Sequence, residues 1–484
     1  MAKDRYLELI NSKARFHNPV GFEIRDDEIP PLTKPFQRAI IRWACRLGRA
    51  SLFASTGLGK TLMSTTWACA VVRRTQKPVI LFCPLAVGPQ TVAEAAKFGL
   101  PGVQLAESQD DVTGPGVYVT NYQKLHKFNP EAFAGVVLGE SSILKNFTGS
   151  TRKALQNAFV NTTYKLCETA TPAPNDHMEL GQHAEFLGVM RSNEMLSRWF
   201  INDQAHAGEY RLKEHGKEDF WRWVSTWACC VIMPSDIGFE DDGYILPPLE
   251  MTYEVVKVDV LSDASGRLLR SEKLSATNLH KEMKRTVKDR AAAVGRLVSG
   301  YPDEPFLVWC NTDYEQDALE KVIPYCVSVR GSMPEHKKID GLTGFSEGRY
   351  RILIAKPSMA GHGMNWQHCN RMAFVGLSYS FEAMFQAIRR CWRFGQQNTV
   401  HCHVVQAETE GEVSKAVREK EQQFNTMRRA MVDAAKSYWS ETNSPLLAGS
   451  WLGDVKPKIP KWVISQGKAQ PAKMVYQPLF TQGA

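Results

Sequence analysis

Twice along the chain, short apolar runs alternate with stretches of helical period. The first region covers residues 30–178, and its strand candidates are 51–54, 79–83, 117–120, 136–138 and 164–169. The second covers residues 249–410, with candidates at 306–310, 326–329, 352–355, 371–375 and 400–405. Strands separated by helices predict parallel sheets joined by right-handed crossovers. The pattern therefore predicts an α/β protein with two lobes in series, sharing a cleft. Between the lobes, residues 179–248 read as a helical insertion rich in aromatics: Phe186, Trp199, Phe200, Phe220, Trp221, Trp223 and Trp227. Phe220, Trp223, Val224 and Trp227 recur at core spacing, which predicts packing for most of them. Stacking on nucleic-acid bases is the competing role. Pro247-Pro248 marks a stiff boundary. Residues 1–29 form an N-terminal segment, 411–440 a charged helix, and 441–484 a loosely ordered tail rich in Pro, Gly, Lys and Gln.

Composition narrows the class without naming an activity. Hydrophobic residues at 43% and charged residues at 23% fit a globular chain and exclude a fibrous or disordered one. The net charge of +8 is compatible with a polyanionic partner. The opening residues lack an apolar signal core, and the apolar run 79–87 is broken by Pro84 and too short to cross a bilayer. A cytoplasmic protein with no membrane partner is expected. Eleven cysteines without a CxxC pair read as buried thiols. His401 and His403 would share one face of a strand, but no second ligand pair follows at zinc spacing.

The chemistry concentrates in a few segments. Ser51-Leu-Phe-Ala-Ser-Thr-Gly-Leu-Gly-Lys-Thr61 runs from an apolar strand through a Gly-bearing loop into a helix. That is the context of a phosphate-binding P-loop. Backbone amides from Thr56 to Lys60 can point at phosphate oxygens. Gly57 and Gly59 can adopt backbone conformations that strain other residues. Lys60 would bring charge to the β- and γ-phosphates of ATP, and Thr61 a hydroxyl to Mg²⁺. The first Gly of the usual pattern is Ala54 here.

Further along, Gly135-Val-Val-Leu-Gly-Glu-Ser-Ser142 has an acid at its end, and Thr169-Ala-Thr-Pro172 follows the next strand candidate. Cys83-Pro84-Leu85 and Thr120-Asn121-Tyr122 end two others. In the second lobe stand Arg330-Gly-Ser-Met-Pro334, Ala360-Gly-His-Gly-Met-Asn365 and Gln386-Ala-Ile-Arg-Arg-Cys-Trp-Arg-Phe-Gly-Gln396. Arg390 and Arg393, three apart, are expected on one helix face. A run of Lys281, Lys284, Arg285 and Lys288 is expected to form a basic stripe, either tracking phosphates or simply solvated.

In order and context these segments resemble the Swi/Snf-type helicase-like ATPases of helicase superfamily two. The run Glu140-Ser-Ser-Ile-Leu-Lys145 resembles compact members from phages and mobile elements. The resemblance covers about residues 30–405 and implies two tandem RecA-like P-loop lobes that close on ATP and Mg²⁺ while gripping nucleic acid, most expectedly DNA. It implies adenine reading by Gln37 and nucleotide contacts from Gly363 and Gln386. Glu140 would hold Mg²⁺ through water and orient or deprotonate the attacking water. Arg390 and Arg393 would act as arginine fingers. Pro84, Thr120, Thr169, Thr171, Arg330 and Gly361 would contact the nucleic-acid backbone or couple hydrolysis to lobe movement.

One departure is chemical. The family carries Asp-Glu where this chain has Gly139-Glu140. Two readings stay open: Thr61, the phosphates and a shifted Glu140 hold the metal and hydrolysis is slower, or ATP gates a nucleic-acid clamp with scarcely any turnover.

Overall fold

The computed structural model describes residues 19–145, 149–174, 176–202, 210–258, 276–360 and 364–441. The segment 1–18, the tail from 442, and Gly361, His362 and Gly363 lie outside the described residues.

The first lobe is built on β1 (Arg49–Ala54), β2 (Val79–Cys83), β3 (Val103–Leu105), β4 (Val117–Asn121), β5 (Gly135–Gly139) and β6 (Tyr164–Glu168). A short antiparallel hairpin, β7 (Phe200–Asn202) and β8 (Tyr210–Leu212), follows, and then β9 (Ala228–Val231). The main sheet is wholly parallel, in the order β3-β4-β2-β5-β6-β1-β9. Its central strands are buried along their length, because helices cover both faces. Leu81, Phe82, Val137 and Leu138 are among the side chains that fill those faces.

The edge strand β9 corrects the expected domain boundary. It pairs with β1 from Ser51↔Ala228 to Ala54↔Val231, so the lobe does not end at 178. The segment expected to be a helical insertion carries helices, the hairpin and this strand. Four small apolar residues have no periodicity of their own, and only the vacant edge of β1 makes them a strand. The seven aromatics named above are all buried, with Trp199 and Trp223 stacked at 4.8 Å between ring centroids. They serve the lobe's core.

The second lobe contains β10 (Leu249–Val256), β11 (Phe306–Trp309), β12 (Val327–Ser328), β13 (Ile352–Ala355), β14 (Arg371–Val375) and β15 (Val400–Ala407). This sheet is also parallel, ordered β10-β15-β14-β11-β13-β12. Its interior holds an ionic cluster: fully buried Arg290 lies 3.0 Å from Glu315 and 3.1 Å from Glu410.

The helix Gly411–Glu441 is longer than the expected 411–440 by one residue, and it is no appendage. It leaves the second lobe and packs against the helix Lys217–Ser225 and β9 of the first. Arg428 donates to Ser55 Oγ in the P-loop, and Lys436 lies 3.1 Å from Asp236.

Other expectations sort as follows. The basic run is split at buried Thr286, where the helix Ala276–Arg285 ends and Val287–Ser299 begins, so it is not one continuous stripe. Arg285 is paired with Glu282 at 2.7 Å. His401 and His403 do share a face of β15, and His401 Nδ1 sits 3.0 Å from Glu250. Ten of the eleven thiols are buried and none is in a disulfide. Among the described residues no helix is long and apolar enough to cross a membrane.

Candidate nucleotide site between the two lobes

Parallel strands all end on the same side of their sheet, so loops that follow them gather there. In the first lobe the P-loop after β1, Pro84 after β2, Thr120 at the end of β4, Gly139-Glu140 after β5 and Thr169 after β6 meet in this way. Gly57 and Gly59 have φ of 93° and 79°, the left-handed region that favours glycine. Gly57 is required for a second reason. A Cβ there would stand 2.8 Å from the Cβ of Phe394 in the other lobe. Lys60 opens the helix Lys60–Thr75 and donates from Nζ to the carbonyls of Ala54 at 2.8 Å and Ser55 at 3.2 Å. Gln37 is buried against the loop: Nε2 donates to Leu58 O at 2.9 Å, and Oε1 accepts from Lys34 N at 3.0 Å.

At the end of β5 the backbone is strained. Glu140 has φ of 60°, unusual for a residue with a side chain. Tyr122 holds the turn by donating to Gly139 O at 2.8 Å. The Glu140 carboxylate accepts from the Thr169 hydroxyl and, at 3.0 Å, from Ser142 Oγ. Beside it, Glu168 is the register partner of Gly139. Burial raises the Glu168 carboxyl above its ordinary range, opposed by nearby Lys60. Burial likewise lowers the Lys60 ammonium, opposed by Glu140 and Glu168.

The second lobe brings its arginines on a turn rather than a helix face. The helix Phe381–Ile388 ends before them. Arg390 N donates to Ala387 O and Gln396 N to Arg393 O, tight i to i−3 bonds. Three residues per turn superpose positions three apart, so both side chains still project to one side. Both donate to Met364 O, Arg390 at 3.3 Å and Arg393 at 3.2 Å. Gln386 fixes Arg390 further, accepting at 3.0 Å through Oε1. Burial and the neighbouring Arg393 push the Arg390 guanidinium down to about 9, which leaves it cationic at neutral pH. Arg389 is buried, its guanidinium 4.4 Å from the Trp392 ring centroid.

These groups line one cavity of about 600 Å³. Lys60, Thr61 and Glu140 face it from the first lobe, and Gln386, Arg390 and Arg393 from the second. Gln37, Thr56, Gly57 and Gly59 line it as well. Thr169 and Thr171 are buried beneath it, where the lobes touch. Thr171 Oγ1 donates to Glu382 at 3.2 Å and lies 3.5 Å from Gln386 Nε2, and Lys145 forms an ion pair with Glu382. A hydrogen-bonded path thus runs from Glu140 through Thr169, Thr171 and Gln386 to Arg390. Pro84 lines the cavity too. Thr120 is buried with an unpartnered hydroxyl. Arg330 stands apart, paired at 2.7 Å with both Asp317 and Glu320 of its own lobe. Gly361 and Gly363 lie outside the described residues.

Mg²⁺ is a hard cation that takes oxygen ligands and keeps part of its water. The cavity offers the Thr61 hydroxyl and the carboxylates of Glu140 and Glu168. That donor set fits the ion. Among the described residues no group of three or more His, Cys, Asp or Glu side chains forms a metal chelate by itself.

Residues 289–395 match the helicase conserved C-terminal domain. The helicase SWR1 of Debaryomyces hansenii is 27% identical over 194 residues, which cover 34% of this chain and 12% of SWR1. These stretches of the chain are similar to helicase-like proteins of the Swi/Snf type. Protein p41 of Acyrthosiphon pisum secondary endosymbiont phage 1 is 23% identical over 474 residues, covering 83% of this chain and 98% of p41. The solved Sulfolobus solfataricus SWI2/SNF2 ATPase core, in complex with dsDNA, aligns with a TM-score of 0.42 and 16% identity over 88% of this chain and 98% of its own.

Several groups at this cavity were not legible in the sequence. Tyr244 and Phe394 line the cavity beside Gln37 with ring centroids 4.9 Å apart, yet they come from different lobes and share no motif. Glu382 joins the lobes from a helix whose pattern shows only one acid in an apolar face. Glu168 had a visible signal: an acid at the end of the strand Tyr-Lys-Leu-Cys-Glu, directly before Thr169.

Proposed function

We propose that this protein is an ATP-dependent nucleic-acid translocase or helicase acting on DNA, in which hydrolysis drives the lobes together and apart. The reading is carried by one observation: Lys60 and Glu140 from one lobe, and Arg390 and Arg393 from the other, line a single cavity. The amides of Thr56 to Lys60 would cradle the phosphates, with Lys60 neutralising the β- and γ-oxygens. Glu140 would accept a proton from the attacking water. Arg390 and Arg393 would stabilise charge on the transferring phosphoryl, so that turnover needs a closed cleft. Mg²⁺, when bound, neutralises the phosphate charge, and Thr61 and Glu140 would hold it. Gln37, with Tyr244 and Phe394 beside it, would bind the base. The path through Thr169, Thr171 and Gln386 would tell the second lobe whether the phosphate is intact. DNA is favoured by the net positive charge and by the Swi/Snf likeness. A relative encoded by a phage suits work in the cytoplasm of a host.

The deciding experiment measures phosphate release with no polymer, single-stranded DNA, duplex DNA and RNA. Stimulation by duplex DNA supports the proposal, and strand-displacement and triplex-displacement assays then separate unwinding from translocation. Backbone contacts make the affinity salt-dependent, so DNA binding that ignores a rise in salt contradicts the grip. Gly139 favours a second reading, an ATP-gated clamp with impaired hydrolysis. Polymer binding that follows ATP without phosphate release would support it.

A further inference from the structure

Resting on the nucleotide-site reading above, we infer that Glu168 on β6 supplies the metal-facing carboxylate that position 139 lacks, one strand over in the same sheet. Gly139 and Glu168 are direct partners in the parallel β5–β6 pair, so their side-chain directions emerge on the same face. Neighbouring strands lie about 4.8 Å apart, a gap that the extra methylene of Glu relative to Asp helps to span. A Cβ built on Gly139 would stand 3.3 Å from Glu168 Oε1. The Glu168 carboxylate therefore already leans over the place where an acid at 139 would project.

Its environment points the same way. Glu168 is 8% exposed, and its Oε2 has no partner. It lines the cavity together with Lys60, Thr61 and Glu140. A carboxylate buried with an unsatisfied oxygen is costly unless something binds it. The competing role is a structural acid packed beside the helix Lys60–Thr75. An acid of that kind could be replaced by its amide with no change in metal affinity.

The arrangement also explains why glycine suits position 139. A Cβ there would crowd Phe82 O at 3.2 Å and Cys83 Cβ at 3.4 Å as well as Glu168. Restoring the acid at 139 alone would place two carboxylates against one another in a buried site, where like charges repel. Gly139→Asp by itself is thus expected to add nothing to metal affinity, whereas Gly139→Asp with Glu168→Ala exchanges one acid for the other.

The test uses the full chain with ADP and Mn²⁺, a spectroscopic substitute for Mg²⁺. Bound Mn²⁺ is counted by electron paramagnetic resonance, and ADP affinity is measured with the metal and with a chelator. Glu168→Gln, nearly isosteric, should weaken Mn²⁺ in the ADP complex about 10–100-fold, the range for outer-sphere partners of a metal, while metal-free ADP affinity stays within about twofold. The double variant Gly139→Asp/Glu168→Ala should recover most of that loss, which also guards against a folding defect in either single change. Mn²⁺ affinity in Glu168→Gln equal to that of the parent, with Lys60→Ala abolishing ADP binding, would overturn the assignment and leave the nucleotide site standing. ADP binding that survives Lys60→Ala unchanged would overturn both.

Discussion

Two buried clusters of charge in this protein are built from the same residue types and finished differently. In the second lobe Arg290 is bound on every side: by Glu315 and Glu410, by the Thr286 hydroxyl at 3.2 Å, and by the carbonyls of Met283 and Val375. Glu315 in turn accepts from the amides of Asn311 at 2.8 Å and Thr312 at 3.1 Å. In the cleft, Glu168 Oε2, Thr56 Oγ1, Arg393 Nε and the Thr120 hydroxyl are buried without a partner. The first cluster is complete within the fold. The second has donors and acceptors to spare, and a protein keeps such groups where a ligand or a reacting atom satisfies them. Charge and burial alone do not distinguish a site from a structural cluster; here the difference is that unsatisfied atoms of Glu168, Thr56 and Arg393 belong to residues lining one cavity.

The largest effect should come from the cleft. Arg390→Ala should lower polymer-stimulated phosphate release by about 10³–10⁵-fold with nucleotide affinity largely kept, as single-turnover and binding measurements would show. A loss confined to nucleotide affinity would break the contrast, because the arginine would then be a binding group only.

Arg290→Ala should act on the other ledger. Leaving Glu315 and Glu410 buried and uncompensated should cost about 3–5 kcal/mol of stability in urea unfolding, with nucleotide affinity unchanged in the folded fraction. If nucleotide affinity fell with it, the two clusters would be coupled rather than separate.

His183 sharpens the comparison from a neutral side. Its Nε2 lies 3.0 Å from Ser141 Oγ, next to Glu140. Burial pushes its imidazole down from an ordinary 6.5 to about 4. Between those values the unfolded chain holds the proton and the folded one does not, so stability falls as pH drops through about 6.5 towards 4 and levels off below. The loss is on the order of 3 kcal/mol. His183→Gln should remove that part of the slope in denaturant titrations, and an unchanged slope would assign it elsewhere.

The smallest effect should be at the hinge between the clusters' lobes. Glu382→Gln removes the ion pair with Lys145 while keeping an acceptor for Thr171. About 1 kcal/mol of coupling should be lost, seen as weaker stimulation of hydrolysis by duplex DNA with the basal rate kept. Equal loss of both rates would place Glu382 in the chemistry instead of the coupling.

How far the chain could be read from its pattern depends on whether a feature is local. Strands β2, β13 and β14 match the apolar runs at 79–83, 352–355 and 371–375, because each is a continuous buried stretch flanked by turn residues. The P-loop was legible for the same reason, its glycines and Lys60 being adjacent in sequence. Strand β9 was not, since Ala-Cys-Cys-Val becomes a strand only against the free edge of β1. The pairing of Tyr244 with Phe394, and of Arg428 with Ser55, joins residues far apart in the chain and carries no periodic signal. Arg390 and Arg393 were correctly grouped for a reason that needed changing: a tight turn, not a helix, superposes them.

By itself, then, the order of residues determined two parallel-sheet lobes, the glycine-bearing loop that carries Lys60 and the arginines that share its cavity, because strand runs and loop motifs are short-range properties of a chain. Tertiary structure alone decided which strand borders which, and hence that the Glu168 carboxylate lies over the place where a side chain at 139 would project. Register between strands sets that neighbour, and register is a fact about the folded sheet, not about either strand.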